Sequence, residues 1–323
     1  MTQFQVQKEV KRAYTQYKLV NTETGEYVAI VPQWGGILNE WQVRTDQGFA
    51  NIIQGYADQE DWQSQFTKEY RSAKLFPYPN RVEGGKYTFQ GQVYQLDINF
   101  PHEGNSIHGL IFDKSLSVLE EAHSSIYASL LLTFSYEGDQ PGYPFPFKIK
   151  ILYSYDVQNE LRITTLIKNT GSHPLPYGDG WHPYIQVPHS INACYLQFQP
   201  RALLRKGDNG LPNGKEEVFD YFQSFQLIDD FQLDDCFALP TDAENQSVIL
   251  QDPHQNLEIS IEMETGPGLY NFVQIYTPGD RQSIAIEPVT SPPNAFNNPQ
   301  ACLVLPPGEQ KSLSYKIKAS KLF

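Results

Sequence analysis

The stretch Leu257-Glu258-Ile259-Ser260-Ile261-Glu262-Met263 alternates apolar and polar side chains at every step. Successive side chains of a strand point to opposite faces of its sheet, so this period of two predicts a strand with one buried and one solvated face. Leu161-Arg162-Ile163-Thr164-Thr165-Leu166-Ile167 places positions 161, 163, 165 and 167 on one face in the same way. Similar runs cover 129–136, 147–155, 282–286 and 311–317.

Turn residues separate these runs, as in Glu-Gly-Asp at 137–139 and Pro-Gly-Asp at 278–280. Many short strands with frequent turns favour a β-sandwich or barrel over alternating β–α units. Helical signals are few. Trp62, Phe66 and Tyr70 recur every four residues and predict one amphipathic helix over 58–72, and we expect a further turn or two over 216–222. We expect one all-β domain over 1–323, with two separable domains as the alternative.

Composition excludes several classes of protein. Of the 323 residues, 40% are apolar and 13% aromatic, which excludes a disordered chain. No apolar stretch approaches the roughly 20 residues of a membrane helix, and the start MTQFQVQKEVKRAY lacks the apolar segment of a secretory signal. With 24 basic against 37 acidic residues the net charge is −13, which argues against a nucleic-acid partner.

The three cysteines, Cys194, Cys236 and Cys302, are widely spaced and odd in number. This pattern is typical of free thiols in a reducing compartment, so we expect a cytoplasmic protein. Neither a CxxC motif nor a Cys/His cluster in the sequence suggests zinc, and we expect no metal.

Two polar motifs of the first half of the chain stand beside residues with special backbone geometry. In Phe76-Pro77-Tyr78-Pro79-Asn80-Arg81-Val82-Glu83-Gly84-Gly85, Asn80 and Arg81 lie between prolines and a glycine pair, and such a rigid loop can present a guanidinium to hydroxyl oxygens. A surface ion pair on a tight turn is the alternative. His108 is followed by Gly109 between apolar residues, where a hydrogen-bonded core histidine is the simpler interpretation.

Three further positions lie in the second half of the chain. His182 stands between Trp181 and Pro183, behind two glycines, and strands tolerate Gly and Pro mainly at edges, bulges or close approaches. Asp234 and Asp235 form an acidic pair before Phe237 that could equally be a solvated turn. Glu287 ends an apolar run, where an acid is costly unless it is paired or binds a ligand, and where its pKa could be tuned for proton transfer.

Taken in chain order, these motifs resemble the aldose 1-epimerase (galactose mutarotase) family. The resemblance is carried by Pro79-Asn80-Arg81-Val82-x-Gly-Gly, His108-Gly109, His182-Pro183-Tyr184, Asp234-x-x-Phe237 and Glu287-Pro288 with Pro293-Asn294-Ala295. It spans most of the chain, from 79 to 295. The fold that it implies is a large antiparallel β-sandwich, the galactose mutarotase-like supersandwich, with few short helices.

The resemblance also implies roles for six residues. Glu287 is expected to be the general base and His182 the general acid. Arg81, His108, Asp234 and Asn80 are expected to bind the substrate, and the register between Asp234 and Asp235 is left open. A hemiacetal exchanges its anomers by losing the proton on O1 while O5 gains one, which needs one base and one acid but no redox or electrophilic cofactor. We therefore expect no cofactor.

The expected ligand is a small-molecule monosaccharide, a free hexose of the glucose or galactose type, with Trp181, Tyr184 and Phe296 as candidate aromatic walls. The oligomeric state is left open. Three alternatives remain: an epimerase for a sugar phosphate or oligosaccharide, a non-catalytic sugar-binding protein, and a glycoside hydrolase using Asp234 and Glu287. A phosphate would need further cations, for which Arg201, Arg205 and Lys206 are available.

Overall fold

Strands dominate the computed structural model, which describes residues 2–207 and 209–322. In the first half of the chain the strands are β1 (Phe4–Val10), β2 (Thr15–Asn21), β3 (Tyr27–Val31), β4 (Ile37–Thr45), β5 (Gly48–Asn51), β6 (Lys74–Leu75), β7 (Arg81–Val82), β8 (Lys86–Phe89), β9 (Gln92–Gln95), β10 (Ser106–Ile107), β11 (Ser117–His123), β12 (Tyr127–Tyr136), β13 (Phe147–Asp156) and β14 (Glu160–Asn169).

The second half of the chain continues in the same style. Its strands are β15 (Leu175–Tyr177), β16 (Gly180–Trp181), β17 (Tyr184–Gln186), β18 (Tyr195–Phe198), β19 (Ala202–Lys206), β20 (Pro212–Glu217), β21 (Gln226–Leu227), β22 (Asp234–Ala238), β23 (Asn245–Asp252), β24 (Leu257–Glu264), β25 (Phe272–Tyr276), β26 (Ser283–Val289), β27 (Leu303–Leu305) and β28 (Gln310–Lys321).

Three larger antiparallel sheets organise these strands. The first five strands form a sheet in chain order, β1-β2-β3-β4-β5. A nine-stranded sheet has the order β11-β12-β13-β14-β28-β24-β23-β18-β21. An eight-stranded sheet has the order β20-β19-β22-β25-β26-β16-β6, with β17 also pairing with β26. The short pairs β7–β10, β8–β9 and β15–β27 complete the described strands.

The nine-stranded and eight-stranded sheets pack face to face. Trp181 of the eight-stranded sheet contacts Tyr153 and Tyr315 of the nine-stranded sheet, with ring centroids 6.1 Å apart in both pairs. Ile284 and Ile286 of β26 join the same buried cluster, so the alternate residues Ala285 and Glu287 face the other side of the sheet. The prediction of an all-β antiparallel sandwich is confirmed. The prediction of one domain over 1–323 stays a prediction, and Met1, Asp208 and Phe323 lie outside the described residues.

Helical structure in the described chain is sparse. The α-helix α1 covers Gln59–Glu69, within the predicted 58–72, and the side chain of Asp58 caps its first turn by accepting hydrogen bonds from two backbone N–H groups. Trp62 and Phe66 stack on one side of α1. The 3-10 helices are Pro32–Trp34, Glu83–Gly85, Ile191–Ala193 and Ala295–Asn297. Across residues 2–207 and 209–322, the structure contains no helix with the length and hydropathy needed to span a membrane.

The prediction of helical turns over 216–222 is wrong. Glu216 and Glu217 instead end β20, and their carboxylates form ion pairs with Arg201 and Arg205 across the antiparallel pair β19–β20. The side chain of Phe222 is buried against Phe198. The pairing of β20 with β19 and the burial of Phe222 therefore decide the local structure, which the sequence periodicity did not show.

An ion pair is buried inside the eight-stranded sheet, where β6 pairs with β16. Lys74 Nζ lies 2.5 Å from Asp179 Oδ1, and both side chains are fully inaccessible to solvent. Tyr270 donates a hydrogen bond of 2.8 Å to Asp179 Oδ2, and the Lys74 ammonium lies over the ring of Trp181. Burial lowers the pKa of Lys74 to about 8 and raises that of Asp179, while the attraction between the two groups opposes both shifts.

We predict that Lys74→Met destabilises the protein by about 3–5 kcal/mol, because it leaves the Asp179 charge buried without its partner. Urea unfolding would measure the loss, and the double variant Lys74→Met/Asp179→Asn should recover part of it. Lys321→Met is the matched control, since it removes an exposed pair with Asp46, and exposed pairs contribute little to stability. A cost for Lys74→Met no larger than that of the control would contradict the prediction.

Candidate active site

A polar cavity of about 270 Å³ opens on the face of the eight-stranded sheet that points away from the sandwich core. All six residues singled out from the sequence line it. They come from five separate regions of the chain: Asn80 and Arg81, His108, His182, Asp234 on β22 and Glu287 on β26. The structure therefore brings together side chains that are up to 207 positions apart in the sequence, here Asn80 and Glu287.

Glu287 lies within β26 and faces the cavity. The sequence suggested that Glu287 ends its strand. The strand instead continues through Pro288 to Val289, so Glu287 lies inside it. Glu287 pairs with Gln274 on β25, and only 2% of the surface of Glu287 is exposed. Burial raises the pKa of the Glu287 carboxyl well above its ordinary value of 4.5; the negative charge of Asp234 raises it further, and the positive charge of Arg81 opposes both.

His182 lies between β16 and β17, with its ring in the cavity wall. Its backbone N–H donates to the carbonyl of Ala73, and its own carbonyl accepts from the N–H of Ser72. The ring stacks on Tyr184 at 4.8 Å, with an angle of 6° between the planes. Burial lowers the pKa of His182 to about 3, because a charged imidazolium is poorly solvated there.

Glu287 and His182 face each other. The Oε1 atom of Glu287 lies 3.3 Å from Nε2 of His182. Within the described part of the chain, Glu287 Oε2 and His182 Nδ1 are buried without a protein hydrogen-bond partner. A buried carboxyl and imidazole at this distance, with pKa values pushed in opposite directions, are equipped to accept and donate protons on a bound molecule.

His108 is held in a left-handed backbone conformation, with a φ of 64°. The next residue, Gly109, also has a positive φ, and a Cβ there would lie 2.2 Å from the carbonyl oxygen of Phe76, so the close approach requires glycine. The Nδ1 atom of His108 accepts a hydrogen bond from the backbone N–H of Asn80. A neutral imidazole that accepts at Nδ1 carries its proton on Nε2, which makes His108 a hydrogen-bond donor toward the cavity.

Asn80 and Arg81 are fixed by contacts of their own. Asn80 has a φ of 54°, and its side-chain oxygen accepts hydrogen bonds from the backbone and guanidinium N–H groups of Arg81. The Arg81 guanidinium donates two parallel hydrogen bonds to the Glu103 carboxylate, and the bond from Nη2 to Oε1 is 2.9 Å long. This hydrogen bonding lowers the pKa of Glu103. Non-glycine residues in left-handed conformations are uncommon and concentrate at functional sites.

The register between Asp234 and Asp235 is decided by the alternation of β22. Asp234 shares the cavity face with Gln274 and Glu287, and Gln274 Nε2 donates a hydrogen bond of 3.0 Å to its carboxylate. Asp235 points to the opposite face, the one that Ile275 shares on the neighbouring strand. Asp234 is half-exposed at the cavity mouth, where Lys206 Nζ lies 3.4 Å from its Oδ2 atom.

Several cavity residues were missed from the sequence, namely Gln274, Glu69, Lys68, Phe100, Ile107, Tyr70 and Tyr276. Gln274 and Tyr276 reach the cavity from β25, whereas Lys68, Glu69 and Tyr70 reach it from the end of α1. Their position in the fold, and not a distinctive local motif, places them there. Of the three proposed aromatic walls, Tyr184 lines the cavity. Trp181 instead packs in the core against Tyr153, and Phe296 packs against Tyr78 and Tyr87.

The three candidate phosphate-binding cations are all paired with carboxylates. Arg201 and Arg205 form ion pairs with Glu216 and Glu217 on the exposed β19–β20 pair. Lys206 reaches the cavity mouth but contacts both Asp234 and Asp235. The three cysteines all lie in the described chain and are free.

The structure thus combines an antiparallel sandwich with a polar pocket that holds a buried carboxyl beside a buried imidazole, and comparison with known proteins identifies the family. The family model described as aldose 1-epimerase matches residues 17–318. The chain belongs to the aldose 1-epimerase family.

Individual relatives agree with this assignment. The uncharacterized protein YihR of Escherichia coli is 29% identical over 250 residues, which covers 75% of this chain and 77% of the relative. The aldose 1-epimerase of Escherichia coli is 24% identical over 322 residues, covering 88% and 90%. The crystal structure of a galactose mutarotase-like protein from Clostridium acetobutylicum superimposes with a TM-score of 0.86 at 20% identity, covering 99% of both chains. The fold is therefore galactose mutarotase-like.

We predict that Glu287→Gln stabilises the folded protein at neutral pH. The native carboxyl binds a proton more tightly than the unfolded one, so in the wild type the free energy of unfolding falls as pH rises from about 4.5 toward the raised pKa. The amide cannot ionise and escapes this loss. Thermal unfolding at several pH values should show a higher Tm for the variant, with a gap that widens with pH across this window.

The control for this prediction is Glu264→Gln, which alters a half-exposed glutamate of β24. Its Tm should stay close to that of the wild type at each pH. A Glu287→Gln variant that is less stable than the wild type near pH 7 would show that the buried carboxyl does not carry the proposed burial cost.

Proposed function

We propose that this protein interconverts the α and β anomers of a free hexose of the glucose or galactose type, with Glu287 as general base and His182 as general acid. The observation that carries the proposal is the 3.3 Å approach of Glu287 Oε1 to His182 Nε2 on the floor of a cavity lined by hydrogen-bonding side chains. Family membership supports the reaction class, and the site supports the assignment of roles.

The reaction balances with one proton on the acid–base pair. Glu287 takes the proton from O1 while the C1–O5 bond breaks, and O5 receives a proton from Nε2 of His182. The C1–O1 bond becomes the aldehyde carbonyl, and rotation about C1–C2 presents its other face. Ring closure reverses both transfers, so the pair ends as it began and no proton is exchanged with water.

The electrostatics of the site favour this direction of transfer. Before ring opening the pair is charged, with a carboxylate and an imidazolium; after it both groups are neutral. Burial raises the pKa of Glu287 and lowers that of His182, so the surroundings favour the neutral pair. Ring opening therefore takes the pair from its charged form, which burial disfavours, to its neutral form. Because burial also favours the neutral pair in the empty site, the proton on Glu287 must pass to His182 before Glu287 can act as the base.

The remaining cavity residues supply hydrogen bonds for sugar hydroxyls. His108 donates from Nε2, Arg81 and Asn80 lie beside it, and Asp234 accepts at the mouth. Tyr70 and Tyr184 add aromatic surface. Arg81 is already paired with Glu103 and Lys206 with Asp234, so neither of these two cations is free to bind a phosphate, which favours a neutral sugar over a phosphorylated one.

We predict that the wild type accelerates the change in optical rotation of freshly dissolved α-D-glucose or α-D-galactose, and that Glu287→Gln and His182→Asn each lower kcat by about 10²–10⁴. Each variant removes one proton-transfer group: Glu287→Gln keeps the size and shape of the side chain, and His182→Asn keeps a polar side chain that can still form hydrogen bonds. Polarimetry measures the rate, and isothermal titration calorimetry measures sugar binding, which should stay within about tenfold of the wild type in Glu287→Gln.

Asp235→Asn is the matched control, because Asp235 faces away from the cavity; it should retain wild-type kcat. Full activity of Glu287→Gln would remove Glu287 from the base role. Sugar binding without any acceleration by the wild type would favour a binding protein. Acceleration seen with a hexose 6-phosphate alone would move the substrate to the phosphorylated class, and release of the leaving group from a nitrophenyl glycoside would indicate a glycosidase.

A further inference from the structure

Three side chains with metal-binding atoms converge outside the active-site cavity. His189 follows β17, Cys194 precedes β18, and Asp252 ends β23. One ligand atom from each residue lies within 4.8 Å of the other two. The cluster borders an open groove of about 560 Å³. None of the residues that line this groove also lines the active-site cavity.

Two of the three residues are buried, and two polar atoms of the cluster lack protein partners in the described chain. Cys194 is 0% and Asp252 is 1% exposed. Asp252 Oδ1 accepts hydrogen bonds from the backbone N–H groups of His254 and Gln255, whereas Asp252 Oδ2 has no donor among residues 2–207 and 209–322. A buried carboxylate oxygen without a partner is costly, so the site is built for something that would contact this atom.

The imidazole of His189 is oriented toward the same point. Its Nε2 atom lies 3.3 Å from Asp252 Oδ1 but outside hydrogen-bonding geometry, and it too is buried without a partner in the described chain. A nitrogen and a carboxylate that face each other without sharing a hydrogen are arranged as ligands around a common centre. A hydrogen bond from His189 to Asp252 Oδ1, which already accepts two backbone N–H groups, would still leave Asp252 Oδ2 without a donor in the described chain.

The backbone holds the three residues in place. The 3-10 helix Ile191–Ala193 ends at Cys194, whose N–H donates to the carbonyl of Ile191 and whose carbonyl accepts from Ile228. On the other side, the turn after Asp252 is fixed by Gln255, which contacts Thr45 and Gln47. The donor atoms are thus presented by rigid segments and not by long mobile side chains.

We propose that His189, Cys194 and Asp252 form a binding site for a divalent transition-metal ion of the zinc class. Thiolate, imidazole and carboxylate are the zinc donor types, whereas Ca²⁺ and Mg²⁺ favour oxygen ligands alone. Bond lengths of about 2.0–2.3 Å put tetrahedral ligand atoms roughly 3.3–3.8 Å apart, so the cluster needs to contract by about 1 Å.

The charges balance when the ion binds. The Cys194 thiol releases its proton to solvent, and the resulting thiolate together with the Asp252 carboxylate neutralises the two positive charges of the ion. The fourth position opens on the groove, where the ring of His254 lies 4.8 Å from that of His189 and water has access. The ion would join the β17–β18 connection to the β23–β24 turn, so its role is structural and independent of the sugar reaction.

The test is titration of the chelator-treated full-length protein with Co²⁺, followed by absorption spectroscopy. We expect 1:1 binding with a thiolate-to-cobalt charge-transfer band in the near ultraviolet and the intense visible bands of tetrahedral cobalt. Zn²⁺ should abolish both signals by displacement and raise the Tm of the protein. Cys194→Ser should lose the charge-transfer band, and His189→Gln and Asp252→Asn should each bind at least about tenfold more weakly.

Matched controls separate this site from other thiols and histidines. Cys302→Ser and His123→Gln alter a second cysteine and an exposed histidine, and both should bind Co²⁺ as the wild type does. The half-exposed His189 can be changed without disturbing the core, so His189→Gln keeps the test decisive if Cys194→Ser fails to fold. Absence of the thiolate band in the wild type, or unchanged Co²⁺ affinity in His189→Gln, would overturn the proposal. The test uses only Co²⁺ absorption and affinity, so its result does not depend on whether the protein converts a sugar.

Discussion

The site depends on one constraint, the burial of the Glu287 carboxyl in the middle of a sheet. An ionised carboxylate there loses the solvation that water would give it, and the nearby charge of Asp234 adds to the penalty. The same burial disfavours a charge on His182. A pair whose members both prefer to be neutral favours the proton transfer that neutralises it, which in the proposed reaction is ring opening. The burial that destabilises the ionised Glu287 carboxylate thus also favours the proposed proton transfer to it.

Backbone contacts on both sides hold the framework around this pair in place. Asn80 and His108 are both left-handed, and each contacts the other through the backbone and through His108 Nδ1. On the opposite side, residues 72 and 73 hold the backbone of His182, and the next residue in the chain, Lys74, anchors that segment to Asp179 inside the sheet. A buried ion pair contributes little net stability but fixes a single arrangement of its strands when both partners are present.

Much of the fold could be predicted from the sequence, because the alternation at 257–263 or 161–167 directly reports which face is buried. The candidate site could be assembled only through the family resemblance, since its six residues are scattered over the chain. Local pattern failed where long-range contacts decide: Glu216 and Glu217 form cross-strand ion pairs, and Trp181 turns into the core. The His189–Cys194–Asp252 cluster has a gap of 57 positions between Cys194 and Asp252, so no spacing motif could reveal it.

The most direct test is the pKa of Glu287 itself. Protein labelled with ¹³C at the glutamate side-chain carboxyl can be titrated by NMR, with Glu287→Gln used to assign the resonance. We predict that one resonance, absent from the variant, titrates well above the ordinary value of 4.5. A Glu287 resonance that titrates in the ordinary range with the other glutamates would contradict the account, because an ordinary carboxyl would not drive the neutralising proton transfer from which the proposed function follows.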